Sequence, residues 1–193
     1  MSLSSTKKGQ DAITIGIFTA LYLVIAAAGM AGLIFGPVAM TVTVVAVALI
    51  NGITFMMFVS RVYSAYAIFI MGVVMALLML AHGWTTALAL LVSSGVSTLC
   101  ILRPRDPDAN KRPLVKRRSK VSLVVAYAVF NLWYIGPILP IYLWQDSKNP
   151  AMLAFYTPTT MAITEVLTFI FSLIGAWLGI RLRKRHFERA GLA

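Results

Sequence analysis

The sequence predicts an all-α membrane protein. It reads as one domain over residues 1–193, with six transmembrane helices, both termini in the cytoplasm and a pocket facing outward. Three observations predict this. First, 60% of the residues are hydrophobic, 12% are charged and the mean hydropathy is +0.86, more apolar surface than a soluble domain of this size could hide. Second, six apolar stretches are long enough, or nearly so, to cross a hydrocarbon core of about 30 Å as helices. Third, the basic residues fall almost entirely on one side of the membrane once those six crossings are drawn.

The first helix is expected over 12–34. It is too long for a cleaved signal peptide, and no small-residue cleavage site precedes a polar mature chain. Gly16 and Ala20 form a small-xxx-small pair, as do Ala27 and Ala31, and Ala28 and Gly32. Such faces let helices approach closely, either within this chain or against another membrane subunit. The second helix, 38–60, follows Phe35, Gly36 and Pro37; Asn51 in its inner half reads as an interhelical hydrogen-bond partner. The third, 62–81, begins after Arg61. The fourth, 84–102, follows AHGWTT, residues 81–86. Cys100, the single cysteine, excludes an intramolecular disulfide and a cysteine-based metal cluster, and reads as a small packing residue.

The stretch RPRDPDANKRPLVKRRSK, residues 103–120, has three prolines and no helical period. It reads as a connector dividing four helices from two. Its basic charge orients the chain and attracts anionic headgroups, or else docks a cytoplasmic partner.

The fifth helix, 121–143, contains its own breakers: Gly136, Pro137 and Pro140. Each proline removes a backbone donor and displaces an upstream carbonyl, which cannot be left facing lipid. Two readings stand, a packed kink or a cavity wall carrying Asn131, Trp133 and Tyr134. The sixth helix, 160–181, carries Glu165, the one acid inside a predicted span. An intramembrane carboxylate faces an interior or an aqueous cavity, as a pocket group or as an interhelical strut.

With the amino terminus in the cytoplasm, every one of the 17 basic residues except Lys148 lies inside. The net charge of +11 therefore belongs to membrane orientation and does not call for nucleic acid. The outer connections, about 35–37, 81–85 and 144–159, gather the polar and aromatic residues. His82, Trp84, Tyr142, Trp144, Gln145, Asp146, Lys148, Asn149, Tyr156 and Thr157 lie there or at their edges. Trp84 and Tyr156 fit a stacking wall or the ordinary interfacial belt. His82 fits a substrate contact, a haem-iron ligand or a plain loop histidine.

Function classes narrow accordingly. No P-loop occurs. One intramembrane glutamate, one cysteine and two separated histidines supply neither a catalytic constellation nor a resident metal or cofactor, so an enzyme is not expected. His82 and His186 fall on opposite sides, unlike the axial pair of a membrane cytochrome. The inner halves are too apolar to line a channel. A small binding subunit, energised by another protein, fits best.

The segments DAITIGIFTALYLVI, HGW, AYAVFNLWYIGPILPIYL and KRHFERAGLA together resemble the Trep_Strep (MptS-like) group of integral membrane proteins. That group resembles the substrate-binding S components of energy-coupling factor (ECF) importers of the bacterial plasma membrane. The resemblance implies a six-helix bundle with an outer pocket, whose first helix docks on a transmembrane coupling subunit driven by two cytoplasmic ATPases. Gly16, Ala20, Ala27 and Ala28 would carry that docking, although Val24 interrupts the AxxxA form. The site would draw on His82, Trp84, Asn131, Trp133, Tyr134, Tyr156 and Glu165. Haem is the first expected cargo, with a vitamin or vitamin precursor as the alternative; a cargo-free membrane scaffold is the reading from another class.

Overall fold

The computed structural model describes residues 3–81, 83–103, 112–144 and 150–183. The described residues are helical, with no strand among them. In order they form α1 (Leu3–Met30), α2 (Pro37–Arg61), α3 (Tyr66–Met79), α4 (Trp84–Ile101), α5 (Leu114–Arg117), α6 (Lys120–Phe130), α7 (Leu139–Trp144), α8 (Pro150–Phe155) and α9 (Pro158–Leu182). Two 3-10 segments, Ala31–Phe35 and Asn131–Ile135, follow α1 and α6.

Among the described residues, five spans are long and apolar enough to cross a bilayer: Gly9–Met30, Pro37–Arg61, Trp84–Ile101, Lys120–Trp144 and Pro158–Leu182. The third predicted crossing, 62–81, is shorter as a helix. α3 has 14 residues, about 21 Å at 1.5 Å per residue. Its start is delayed because Val62 is extended, and the next two amides are taken by a side chain. Tyr63 and Ser64 donate to Asp11 Oδ1 and Oδ2 at 3.0 and 3.2 Å.

The helix starts follow local chemistry. Gly36, at φ 102°, turns the chain into α2 with Pro37 in the first turn, where its missing N–H costs nothing. Thr157 and Thr160 form a reciprocal capping box at α9, again with a proline, Pro158, just inside.

The closest backbone approach joins α2 to α9. A Cβ on Gly52 would sit 2.3 Å from the Gly175 carbonyl carbon, and one on Gly175 would sit 2.3 Å from Leu49 O. Gly179 lies one turn further on, where a Cβ would meet Gly52 O at 3.0 Å. Gly175 and Gly179 thus form the GxxxG face that holds the bundle together. The small residues of α1 do something else: Gly16, Ala20, Ala27 and Ala28 are exposed.

Hydrogen bonds define two ends. At the basic end, Leu114 N donates to Val62 O at 2.8 Å, and Arg117 reaches Tyr63 O. Arg118 Nε donates to Ile101 O at 2.6 Å, and Ser122 Oγ to Cys100 O at 2.9 Å. The start of α1, the ends of α2 and α4 and the starts of α3 and α6 therefore meet there. At the aromatic end, Thr85 Oγ1 donates to Gly136 O at 2.9 Å, and Tyr156 hydroxyl to Met40 Sδ at 3.3 Å.

Two expectations change at the basic end. Part of the 103–120 connector is the short helix α5, with Leu114 fully buried beneath it, because Leu114 and Arg117 both bond to the end of α2. Residues 104–111 lie outside the described residues. Cys100 is exposed and does not pack into the core; its carbonyl, not its thiol, makes the contact with α6.

Candidate functional site

The fifth predicted helix is interrupted where its prolines require. α6 ends at Phe130, and the chain tightens into the 3-10 segment before turning into α7. Pro137 and Pro140 cannot donate to Trp133 O and Gly136 O, their partners in an α-helix. Both carbonyls find other donors: Gly136 N reaches Trp133 O at 2.9 Å, and Thr85 Oγ1 reaches Gly136 O. Gly136 itself is pressed on α4, where a Cβ would lie 2.7 Å from the Thr86 Cα. At Gly136 the break is a packed kink.

Just below the kink lies a buried polar centre. Tyr22 hydroxyl donates to Asn131 Oδ1. Asn131 Nδ2 donates to Ser172 Oγ at 2.8 Å, and Ser172 Oγ to Thr168 O at 2.6 Å. Asn51 Nδ2 reaches Tyr22 O at 3.4 Å, and Tyr127 hydroxyl reaches Ala48 O. The network joins α1, α2, α6, the 3-10 segment and α9. Asn51 bonds between helices, as its position in an apolar run suggests.

Other buried polar atoms make no close hydrogen bond among the described residues: Asn51 Oδ1, Trp133 Nε1, Tyr134 hydroxyl, Thr168 Oγ1 and, further along α9, both Glu165 carboxylate oxygens. Such atoms are rare in folded proteins, since an unsatisfied buried group costs about 1–3 kcal/mol. Trp133 faces the Tyr22 hydroxyl. Trp133 is 1% exposed, and its ring stacks on Tyr134 with centroids 4.2 Å apart and planes 25° apart. The Tyr134 hydroxyl faces the Asn51 side chain. On α9, Glu165, Thr168 and Ser172 are spaced three and four residues apart, so they share one side of the helix. Trp133 and Tyr134 bring donors and Asn51 an acceptor to a flat aromatic surface, and Glu165 adds an acceptor on the α9 side that carries Ser172.

The remaining predicted residues fall elsewhere. Trp84 is 61% exposed and sits against Trp144 at 5.7 Å, a position suited to the interfacial belt. Tyr156 is buried but engaged with Met40 and edge-on with Phe155. His82 lies outside the described residues, as do Gln145, Asp146, Lys148 and Asn149. Among the described residues, no three of His, Cys, Asp and Glu come together to hold a metal.

Sequence reasoning missed Tyr22, Tyr127, Thr168 and Ser172. A usable signal was present: Tyr127 with Asn131, and Thr168 with Ser172, are polar pairs four apart on apolar helices, each therefore on one face.

No curated protein and no solved structure matches this chain. A family model does, over residues 9–189, and its description is a hypothetical bacterial integral membrane protein. Its span takes in all five long apolar helices and the kinked segment with its polar centre. The chain is a multi-pass membrane protein and belongs to the Trep_Strep family of bacterial integral membrane proteins.

Proposed function

We propose that this chain is the substrate-capturing S component of an ECF-type importer in the bacterial plasma membrane. It crosses six times, with α3 as the short third crossing and both termini in the cytoplasm. It takes a small molecule from outside and delivers it inward with a transmembrane coupling subunit and two cytoplasmic ATPases. Its role is capture, not catalysis.

The observation that carries this reading is the set of buried polar atoms on Asn51, Trp133 and Tyr134, at a stacked aromatic pair, and on Glu165 of α9, none of which makes a close hydrogen bond among the described residues. A guest with its own donors and acceptors would satisfy them. The gathering of cationic side chains at one end supports the orientation. The exposed small residues Gly16, Ala20, Ala27 and Ala28 on α1 leave a face on which a coupling subunit can pack.

Haem, the first expected cargo, would use His82 on iron and Lys148 on a propionate. The described residues suit the alternative better. Unless it is protonated or hydrogen-bonded, Glu165 would repel an anion and accept from N–H donors, so a small heterocycle such as a vitamin or its precursor matches the set.

Mass spectrometry of whatever leaves the purified protein on denaturation tests the cargo. A released heterocycle supports this reading; a Soret band lost in His82→Ala restores haem. Liposome uptake tests the class: transport should require the coupling subunit, ATPases and ATP. Solute flux through the chain alone would sink the S-component reading. A stable complex carrying no small molecule would favour the scaffold.

A further inference from the structure

A groove of about 720 Å³ runs between the start of α6 and the end of α9. It lies at the basic end, away from the kinked segment and its polar centre. The walls are aliphatic and aromatic: Val121 and Val124 on α6, Ile174 and Trp177 on α9. Only the mouth is charged, by Lys120 and Arg181. Arg181 is held in place, its guanidinium carbon 3.8 Å from the Trp177 ring centroid. That stacking leaves the edge of the guanidinium, with its N–H donors, free to bind an oxyanion. Both cations are exposed, and among the described residues no acidic one lines the groove.

We propose that this groove is a specific site for an anionic phospholipid of the cytoplasmic leaflet. The acyl chain lies along Val121, Val124, Ile174 and Trp177, and the phosphate sits between Lys120 and Arg181. The size falls in the range of about 300–1,000 Å³ typical of small-molecule sites. Aliphatic walls offer nothing to orient a polar cargo. A cationic mouth over an apolar trough matches a lipid, charge to charge and chain to chain. The inference rests on the membrane orientation given above and not on the identity of any cargo.

Native mass spectrometry of the full chain in mild detergent is the test, with phosphatidylglycerol or phosphatidylcholine of identical acyl chains added. Phosphatidylglycerol adducts should survive activation, and phosphatidylcholine adducts should not. The double variant Lys120→Gln/Arg181→Gln should lower phosphatidylglycerol retention roughly thirtyfold, as expected for removing two headgroup cations. Lys116→Gln, a basic residue on α5 outside the groove, should leave it unchanged. Val124→Trp should fill the trough and reduce retention with both cations intact. Val121→Glu, at an exposed position, does the same by repulsion and spares the core. Equal retention of the two lipids overturns the proposal, as does a double variant that behaves like Lys116→Gln. So does wild-type retention in Val121→Glu.

Discussion

The half of this bundle toward the basic end and the half toward the aromatic end solve the burial problem in opposite ways. In the first, backbone meets backbone at Gly52, Gly175 and Gly179, and Asp11 ties the start of α1 to the turn before α3. In the second lie Trp133, Tyr134 and Glu165, whose polar atoms are buried without a close hydrogen bond among the described residues. The difference teaches where each kind of residue is spent. Glycines and a two-pronged carboxylate lock helices together; large amphipathic side chains leave donors and acceptors that a guest could use, on the function proposed above. Substitutions should therefore separate by location. Changes at the glycines and Asp11 should damage folding, and changes at the amphipathic set should damage binding.

The largest effect is expected at the glycine contact. In Gly175→Ala the new methyl would lie 2.3 Å from Leu49 O, a backbone atom that cannot rotate away. α2 and α9 must separate, at a cost of roughly 3 kcal/mol. Thermal unfolding in detergent should show a large loss, and a near-neutral result would mean that the two helices are not in backbone contact. Asp11→Ala comes next. It removes an acceptor shared by two amides, and for a partly exposed site the loss should be about 2 kcal/mol. Asp11→Asn keeps one acceptor oxygen and should recover about half of that. Equal stability of the two variants would show that the charge, and not the hydrogen bonds, makes the latch.

Much of this architecture was legible from residues alone, and the illegible part has a common cause. Long uncharged runs marked where helices lie, because a bilayer demands about 20 apolar residues per crossing. Gly136, Pro137 and Pro140 announced the break, because a missing N–H is a local property. Which faces meet is not local. Small residues occur on α1 and on α9 alike, and sequence periodicity alone did not reveal that Gly175 is covered and Gly16 open. The Asp11 latch reaches 52 residues along the chain, and the Tyr22–Asn131 bond reaches 109. Partners at such separations are chosen by topology, which no motif at either end records. Glu165, Trp133 and Tyr134 were visible as odd residues in lipid. Their lack of partners was not, since that is a property of everything packed around them.

The comparison sharpens furthest on substitutions with small effects on stability. Glu165→Gln removes a carboxyl group buried without a close hydrogen bond among the described residues, so the folded protein should gain about 1 kcal/mol or stay unchanged. Retention of the small molecule, read by mass spectrometry, should fall about tenfold, as for one lost charge-assisted contact. A drop of 2 kcal/mol or more in stability would instead identify Glu165 as a strut between helices. The smallest change is expected for Gly16→Leu. No atom lies within 4 Å of the position where its Cβ would be, so stability should stay within about 0.5 kcal/mol. On the proposed importer, the same variant should lose co-purification with the coupling subunit, because a leucine pushes a partner helix off the α1 face. Gly16 and Gly175 would then be two glycines with one chemical purpose, close approach, turned one toward a partner and the other toward the chain itself.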